Sequence, residues 1–335
     1  MAARKVTIRD VAERAGVSIS TVSHTFSGAR TISEATRERV LQATQDLGYD
    51  PNPAARALRI GRHGLIGLVL RPKFAVSGGS GRVETYNRLL GTVTTEVLRE
   101  GIGVVHVPSL DHPRIQPVPM DGCIVAHPYR EDAVLNGLLA RRMPTVAIEE
   151  DLALPDYPWT VRLDYTTGVN ALMTELGDRG ARNFALLTGT EENAWNVRTR
   201  ELVETWCADH GHESRTHVLS EGLTLTDARE RIRRLLAAPA RPDTLVVHVS
   251  DFAALAVSAA AELGIRVPDD LMVASLSDTE GSRSALVPIT AIDLNHEGMA
   301  ATAVRLMLEL LSGAPKPRTP VHVRPELHLR GSTAR

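Results

Sequence analysis

The side chains best suited to specific polar contacts are crowded into one short stretch, Thr7 to Ser27, TIRDVAERAGVSISTVSHTFS. Short hydroxyl groups, one aliphatic residue and one histidine lie together there. These residues are Thr7, Ser18, Ile19, Ser20, Thr21, Ser23 and His24. Hydroxyl groups bind phosphate oxygens, whereas imidazole and aliphatic groups contact base edges. The pattern favours a surface that enters a groove of DNA, although an ordinary helical hairpin would also explain this segment taken alone.

Two short helices joined by a tight turn would present these groups on one surface. Thr7 is a suitable N-cap for the first helix, and Gly16 ends it. Ser18 then caps a second helix, from Ile19 to Phe26, whose Val22 faces inward. The hydroxyl residues are left outward or flanking. This is the arrangement of a helix-turn-helix, in which the second helix lies in the major groove.

A third helix is predicted from Glu34 to Leu47, with Ser33 as its N-cap and Gly48 as its C-cap. The three helices can share one small core. A very short fourth helix, Ala54 to Arg59, follows with Asn52 as its N-cap.

The fourth helix contains an apolar residue, Leu58, between Arg56 and Arg59. A helix of one and a half turns is rarely stable alone in water, so it should form only when something packs on it. An apolar wedge flanked by basic residues is typical of segments that open a base step from the minor groove. The sequence therefore predicts a second contact with DNA at Leu58.

A further group of polar side chains follows the ends of apolar runs later in the chain. In open parallel sheets, ligands bind at the carboxyl ends of the strands. The runs TVAI, TLVVHV and LMVASL each lead into such residues, and the run NFALLTG leads into a polar loop and then an arginine. The candidate ligand-binding residues are Glu149, Asn196, Arg200, Ser250, Asp251 and Ser277.

From Leu65 onward, apolar strands alternate with amphipathic helices, which is the pattern of parallel sheets covered on both faces. The clearest strands are LIGLVL, IGVVHV, GCIVAH, TVAI, NFALLTG, TLVVHV and LMVASL. Two sheets, over residues 65–163 and 164–290, would form two lobes. After a last helix from Gly298 to Leu311, the segment VHVRPELHLR is predicted to cross back as one strand.

Three segments, DVAERAGVSISTVSHTFSG, TRERVLQATQDLGYDPNPAARALR and IGLVL, closely resemble the lac repressor (LacI/GalR) family of bacterial transcriptional regulators. The resemblance covers nearly the whole chain. It implies a small all-α helix-turn-helix headpiece, a hinge helix and a two-lobed α/β core built like the periplasmic sugar-binding proteins. It also implies a homodimer that binds near-palindromic operator DNA under the control of a small-molecule effector. The corresponding domains are predicted at residues 1–50, 51–63 and 64–335.

The resemblance assigns roles by position. Phosphate contacts fall on Thr7, Ser18, Thr21, Ser23 and Asn52. Base contacts fall on Ile19, Ser20 and His24, a further DNA contact on Ala55, and intercalation on Leu58. Arg200 matches an arginine that binds ligand oxygens, a task that suits the forked guanidinium.

The departures from the family pattern concern specificity. His24 stands where the family commonly has arginine, and Ser27 where it usually has asparagine. In the core, Ser250 replaces the asparagine of an Asn-Asp pair, and Ser277 replaces the aspartate of a Gly-aromatic-Asp turn. Because carboxylates that would bind sugar hydroxyls are partly replaced by short neutral groups, we expect an effector other than a simple sugar. Trp159, Trp195 and Tyr165 are available to stack on a ring or to serve as ordinary core residues.

Charge and cysteine content fit this division. Residues 1–62 hold ten Lys/Arg against six Asp/Glu, a balance of +4, in a chain of 335 residues whose net charge is -2. A basic headpiece suits a phosphate-rich partner, although ordinary surface scatter would also give so small an excess. The two cysteines, Cys123 and Cys207, lie in apolar-periodic segments and offer neither a disulfide framework nor zinc spacing.

Three classes of function fit these features: a ligand-controlled DNA-binding regulator, a solute-binding protein, and a sugar-active enzyme on the same scaffold. The second needs an export signal, which MAARKVTIRD does not resemble, so a cytoplasmic protein without membrane contact is expected. The third needs an acid and base pair, and the sequence offers no convincing one. No nucleophile elbow, kinase motif or HExxH occurs, so no catalytic residue, metal site or cofactor is predicted. No heptad-bearing segment follows LHLRGSTAR, so the dimer is expected to be the final state.

Overall fold

The computed structural model describes residues 6–27, 30–49, 63–70, 80–107 and 119–335. It divides into two compact units. The first comprises Met1–Gly64 with Pro119–Asp121, and the second comprises the remaining residues. Asn52, Ala55 and Leu58, and with them the predicted fourth helix, lie outside the described residues.

The first unit contains the helices α1 (Ile8–Ala15), α2 (Ile19–Ser27) and α3 (Glu34–Leu47). Asp10 Oδ2 accepts hydrogen bonds from the Thr7 backbone N–H and hydroxyl, at 2.8 and 2.6 Å, which fixes the start of α1. Gly16 ends the helix with φ of 65°, a left-handed conformation that glycine adopts without steric cost.

The core of this unit is small and lies where the helical spacing predicts it. Its buried residues are Val11, Ala12, Ala15, Val22, Val40 and Ala43. Phe26 and Tyr49 pack against them, with ring centroids 6.4 Å apart. The predicted all-α headpiece is confirmed.

The second unit contains two sheets of six strands each within the described residues. The first sheet has the order β11-β5-β4-β3-β1-β2, and all its strands are parallel. Its strands are β1 (Leu65–Val69), β2 (Gly103–His106), β3 (Gly122–Ala126), β4 (Thr145–Ile148), β5 (Thr160–Leu163) and β11 (Val321–Val323). Its helices are α4 (Ser80–Arg99), α5 (Ala133–Ala140) and α11 (His296–Leu311).

The second sheet has the order β12-β10-β9-β8-β6-β7, and only β12 runs antiparallel. Its strands are β6 (Asn183–Thr188), β7 (Glu213–Val218), β8 (Thr244–Val247), β9 (Met272–Ser275), β10 (Thr290–Asp293) and β12 (Glu326–His328). Its helices are α6 (Tyr165–Asp178), α7 (Ala194–Asp209), α8 (Leu225–Ala237), α9 (Ser250–Glu262) and α10 (Glu280–Arg283). We call the two sheets with their helices the first and second lobes, and the predicted two-lobed α/β core is confirmed.

Within the described residues, the chain passes between the lobes three times. The passages follow β5 at Asp164, β10 at Leu294 and Asn295, and β11 at Arg324 and Pro325. The predicted single strand at VHVRPELHLR is wrong in detail, because it divides into β11 and β12, which join different sheets. Pro325, which has no backbone N–H to donate, stands at the break.

Candidate functional site

The exposed surface of α2 is the candidate nucleic-acid interface. The Ser18 hydroxyl accepts a hydrogen bond from the Thr21 backbone N–H at 3.1 Å, and so caps α2 as predicted. Ser18 and Ser20 are exposed, and Ile19 keeps 42 % of its surface exposed. An exposed isoleucine between two serines is poor as a solvated surface but suits contact with base edges and methyl groups.

The remaining predicted headpiece residues differ in exposure. Thr7 is exposed, whereas Thr21 and His24 are half-buried. Ser23 is only 9 % exposed, which corrects the expectation that its hydroxyl is outward or flanking. Ser23 lies about 100° round the helix from the inward-facing Val22, so its side chain is beside the buried face of α2. The roles of all these residues on DNA remain predictions.

A cavity of about 190 Å³ lies between the two lobes, at the carboxyl ends of the parallel strands. Four of the six predicted ligand-binding residues line it: Glu149, Asn196, Ser250 and Ser277. Arg200 and Asp251 do not line it. Arg200 is half-buried on α7, and Asp251 is buried in the first turn of α9. Their part in ligand binding remains a prediction.

Glu149 is buried at the end of β4. Its Oε1 accepts a hydrogen bond from the Leu163 backbone N–H at 3.2 Å, whereas Oε2 has no hydrogen-bond partner within the described residues. Burial raises the pKa of Glu149 to about 7, although the nearby Tyr165 phenol opposes this shift in pKa. The backbone of Glu149 has φ of 71°, an unusual conformation for a residue with a side chain, and such strain is often found at ligand sites.

Glu221 forms the polar centre of the second-lobe wall. Its Oε1 accepts hydrogen bonds from Asn196 Nδ2 at 2.6 Å and from the Glu191 backbone N–H at 3.3 Å. Its Oε2 accepts from the Thr190 backbone N–H and hydroxyl, at 2.8 and 2.9 Å. Burial raises the pKa of Glu221, but these hydrogen bonds outweigh it and leave the pKa below its ordinary value. Glu221 is therefore ionised at neutral pH.

Two buried histidines also line the cavity. His248 is held between the Thr188 hydroxyl, 2.7 Å from Nδ1, and the Thr199 hydroxyl, 2.5 Å from Nε2. His296 has no hydrogen-bond partner for Nδ1 within the described part of the chain. Burial lowers the pKa of each histidine to about 3, so both imidazoles are neutral at neutral pH.

Sequence reasoning missed Glu221 and both histidines. His248 was assigned to the strand TLVVHV, but β8 ends one residue before it. Of the three aromatic candidates, Tyr165 and Trp195 line the cavity, with ring centroids 5.9 Å apart, and Trp159 belongs to the hydrophobic core. Glu221 follows the end of β7, but the mixed polarity of that strand does not predict a strand.

Ion pairs join the lobes around the cavity. They link Glu150 with Arg198, Arg130 with Glu192, and Glu84 with Arg283, at 2.7 to 2.9 Å. Glu150 is buried and also pairs with Arg162 at 2.8 Å. The lobes of this structure are therefore held close together.

Three residues outside the cavity, Asp278, Asp293 and His328, bring possible metal-ligand atoms within 4.8 Å of one another. Both carboxylates already have arginine partners. Arg330 pairs with the first at 2.7 Å, and Arg88 pairs with the second at 3.1 Å. Among the described helices, none is long and apolar enough to span a membrane.

Comparisons with known proteins agree with both halves of this description. Residues 7–52 match the family described as bacterial regulatory proteins, lacI family, and residues 173–333 match a periplasmic binding protein-like domain. Among curated relatives, the HTH-type transcriptional repressor PurR of Mannheimia succiniciproducens is 27 % identical, covering 97 % of this chain and 98 % of the relative. The PurR repressor of Pasteurella multocida is 28 % identical with the same coverage.

Solved structures show the same fold. The lac repressor dimer bound to operator and the anti-inducer ONPF has a TM-score of 0.81 at 22 % identity, covering 98 % of this chain and 99 % of that chain. The transcriptional regulator CelR in complex with cellobiose has a TM-score of 0.71 at 22 % identity, covering 98 % and 100 %. The resemblance found in the sequence is confirmed: residues 7–52 match the lacI family of bacterial regulatory proteins, and the chain is similar over almost its whole length to the PurR repressors.

Proposed function

We propose that this chain is a sequence-specific DNA-binding transcriptional repressor whose operator affinity depends on a small molecule bound between its lobes. One observation carries this proposal: a single chain joins two features. The first is the helix α2, which Ser18 caps and whose first turn is exposed, and the second is a core with a cavity between its lobes. Such a protein works in the cytoplasm, where it meets the bacterial chromosome, and is not an enzyme.

On DNA, we propose that Ile19, Ser20 and His24 contact base edges while the hydroxyl groups of Thr7 and Ser18 bind phosphates. One headpiece reads too few bases to be specific, so two act together on a near-palindromic operator as a homodimer. Residues 51–63 would serve as the hinge between the headpiece and the core.

The core responds to ligand through the position of its lobes. A ligand can alter DNA affinity only if it favours one lobe arrangement over another. The ion pairs between Glu150 and Arg198 and between Arg130 and Glu192 form only when the lobes are close, so a ligand that contacts both lobes favours the state that has them.

Selection of bound duplexes from a random pool tests the function. We expect recovery of a near-palindrome, bound at least about a thousandfold more tightly than scrambled DNA at physiological salt. Recovery of no consensus, or equal affinity for scrambled DNA, would refute the regulator and favour a solute-binding protein or an enzyme on the same scaffold.

A further inference from the structure

Three side chains at the wall of the cavity carry polar atoms without hydrogen-bond partners in the described part of the chain. They are Glu149 Oε2, His296 Nδ1 and the Tyr165 hydroxyl, which lies close to the Glu149 carboxyl without the geometry of a hydrogen bond. A buried polar group left unpaired destabilises the protein. A ligand that reaches these atoms and supplies partners to them removes that destabilisation.

The charged groups described at the wall are acidic. Glu221 is ionised, and Glu149 can ionise near neutral pH. The described lining residues include no lysine or arginine, and the nearby Arg162 and Arg198 pair with Glu150. Arg200 is close enough to His248 to lower its pKa, but it does not line the cavity. The described wall therefore attracts a cation and repels an anion.

The rest of the wall combines apolar and aromatic side chains with short polar ones such as Thr85, Asn193 and Ser250. Leu70, Leu89 and Met299 line it together with the rings of Tyr165 and Trp195. An apolar cavity of roughly 150 Å³ holds benzene, so a cavity of about 190 Å³ accommodates about one ring with a short substituent. Aromatic faces also stabilise a desolvated ammonium group.

We infer that the effector of this chain is a small amine with an apolar body of about one ring, whose ammonium group pairs with Glu149. This inference rests on the proposed function of the cavity. An anion fits less well because it would meet two carboxyl groups. His296 Nδ1 can accept a second N–H from the ligand.

Pairing with an ammonium group requires the ionised form of Glu149, which makes binding depend on pH. The groups that face this carboxyl are Tyr165 from α6, Arg162 and the Leu163 N–H from β5, and Glu150 beside it. With a pKa of about 7, the ionised fraction of Glu149 rises about tenfold between pH 6 and pH 8. An alkylamine stays protonated over this range, so its affinity should rise about tenfold.

Calorimetry on the full chain tests this inference with three probes of one shape: benzylamine, benzyl alcohol and benzoate. We expect benzylamine to bind at least about tenfold more tightly than the other two, more tightly at pH 8 than at pH 6, and with release of a proton near pH 6.5. No binding of benzylamine, equal binding of the alcohol, or a flat pH profile would overturn the inference.

Glu149→Gln keeps the shape of the side chain and removes its charge. It should abolish the preference for benzylamine over benzyl alcohol, whereas Glu213→Gln, at a side chain that is 75 % exposed on β7, should leave it unchanged. If a folded Glu149→Gln variant keeps the same preference for benzylamine, the proposal is contradicted. If the variant does not fold, the pH dependence of benzylamine binding to the unmodified protein tests the proposal. DNA selection, which requires no assumption about the chemical class of the effector, tests the regulator separately.

Discussion

Gly189 lies where a single methyl group would disrupt the polar centre of the second-lobe wall. A Cβ at this position would stand 1.8 Å from Glu221 Oε1, 2.3 Å from Glu221 Cδ and 2.8 Å from Asn196 Nδ2. The carboxyl group can move away only by giving up its hydrogen bonds. We therefore predict that Gly189→Ala destabilises the core and also weakens ligand binding, because both Glu221 and Asn196 line the cavity.

The size of the effect follows from the bonds that Oε1 would lose. Those bonds come from Asn196 at 2.6 Å and from the Glu191 N–H at 3.3 Å. A hydrogen bond to a charged group contributes about 1.5–3 kcal/mol, and part of the loss is recovered by rearrangement, so the free energy of unfolding should fall by about 2–4 kcal/mol. For a unit of this size the melting temperature should then fall by roughly 5–10 °C.

Gly222→Ala is the matched control, because Gly222 adjoins Glu221 and the nearest atom to its added Cβ is Ser220 Oγ at an ordinary 3.6 Å. Its unfolding free energy should change by less than about 0.5 kcal/mol. Thermal and urea unfolding of both variants, followed by ligand titration, measure the difference. If the two variants unfold at the same temperature, then Glu221 is not held as described and the reasoning is wrong.

Three further predictions concern the hinge, the lobes and pH. Leu58→Ala should weaken binding to the selected operator far more than binding to scrambled DNA, because non-specific binding depends on phosphates. Equal losses on both DNAs in a gel-shift assay would mean that residues 51–63 are a simple linker. Arg198→Gln removes a partly exposed ion pair of 2.9 Å between Arg198 and Glu150, which belong to different lobes. Ligand affinity measured by calorimetry should fall about fivefold, which is equivalent to about 1 kcal/mol. Unchanged affinity would mean that this ion pair does not favour closure of the lobes. In the folded protein, Glu149 keeps its proton up to about pH 7, whereas in the unfolded chain it loses the proton near pH 4.5. As the pH rises between these values, Glu149 therefore lowers the free energy of unfolding by about 3 kcal/mol. Glu149→Gln should remove that decrease from urea unfolding profiles; an identical pH dependence in the variant would show that Glu149 is not buried.

The helices could be predicted from sequence because their signals are local. The helix α3 was predicted at its observed bounds, since Ser33 caps it and Gly48 ends it in a left-handed conformation. The end of α1 at Gly16 follows from the same chemistry. In contrast, Ser250 and Asp251 were expected after a strand end, and they lie in the first turn of α9.

Strands with mixed polarity were harder to predict. The strand β7, ESRTHV, is an edge strand with no fully buried residue, so it lacks the continuous apolar run that marks a central strand. The tail was predicted as one strand because its alternation of residues is continuous, whereas its division depends on which sheet each half meets. Long-range pairing of this kind leaves no local pattern.

The residues that line the cavity could be predicted only in part. Glu149 and Ser277 follow strand ends, where a parallel sheet places its ligands, and both line the cavity. His296 follows a strand of the second lobe but begins a helix that packs on the first. Its position at the wall depends on a passage between lobes that no local pattern encodes.

The passages between the lobes also explain how a small ligand could control their arrangement. Leu163 and Tyr165 stand on either side of the first passage, Leu294 and His296 at the second, and all of them line the cavity. A ligand there contacts both lobes and two of the segments about which they would turn. The ligand can shift the equilibrium between the two lobe arrangements only by the difference between its binding free energies in them. Separation of the lobes breaks the ion pairs that join them, such as Glu150 with Arg198. Ligand contacts and these ion pairs therefore favour the same closed state. Mutations in either group should therefore shift the ligand response in the same direction.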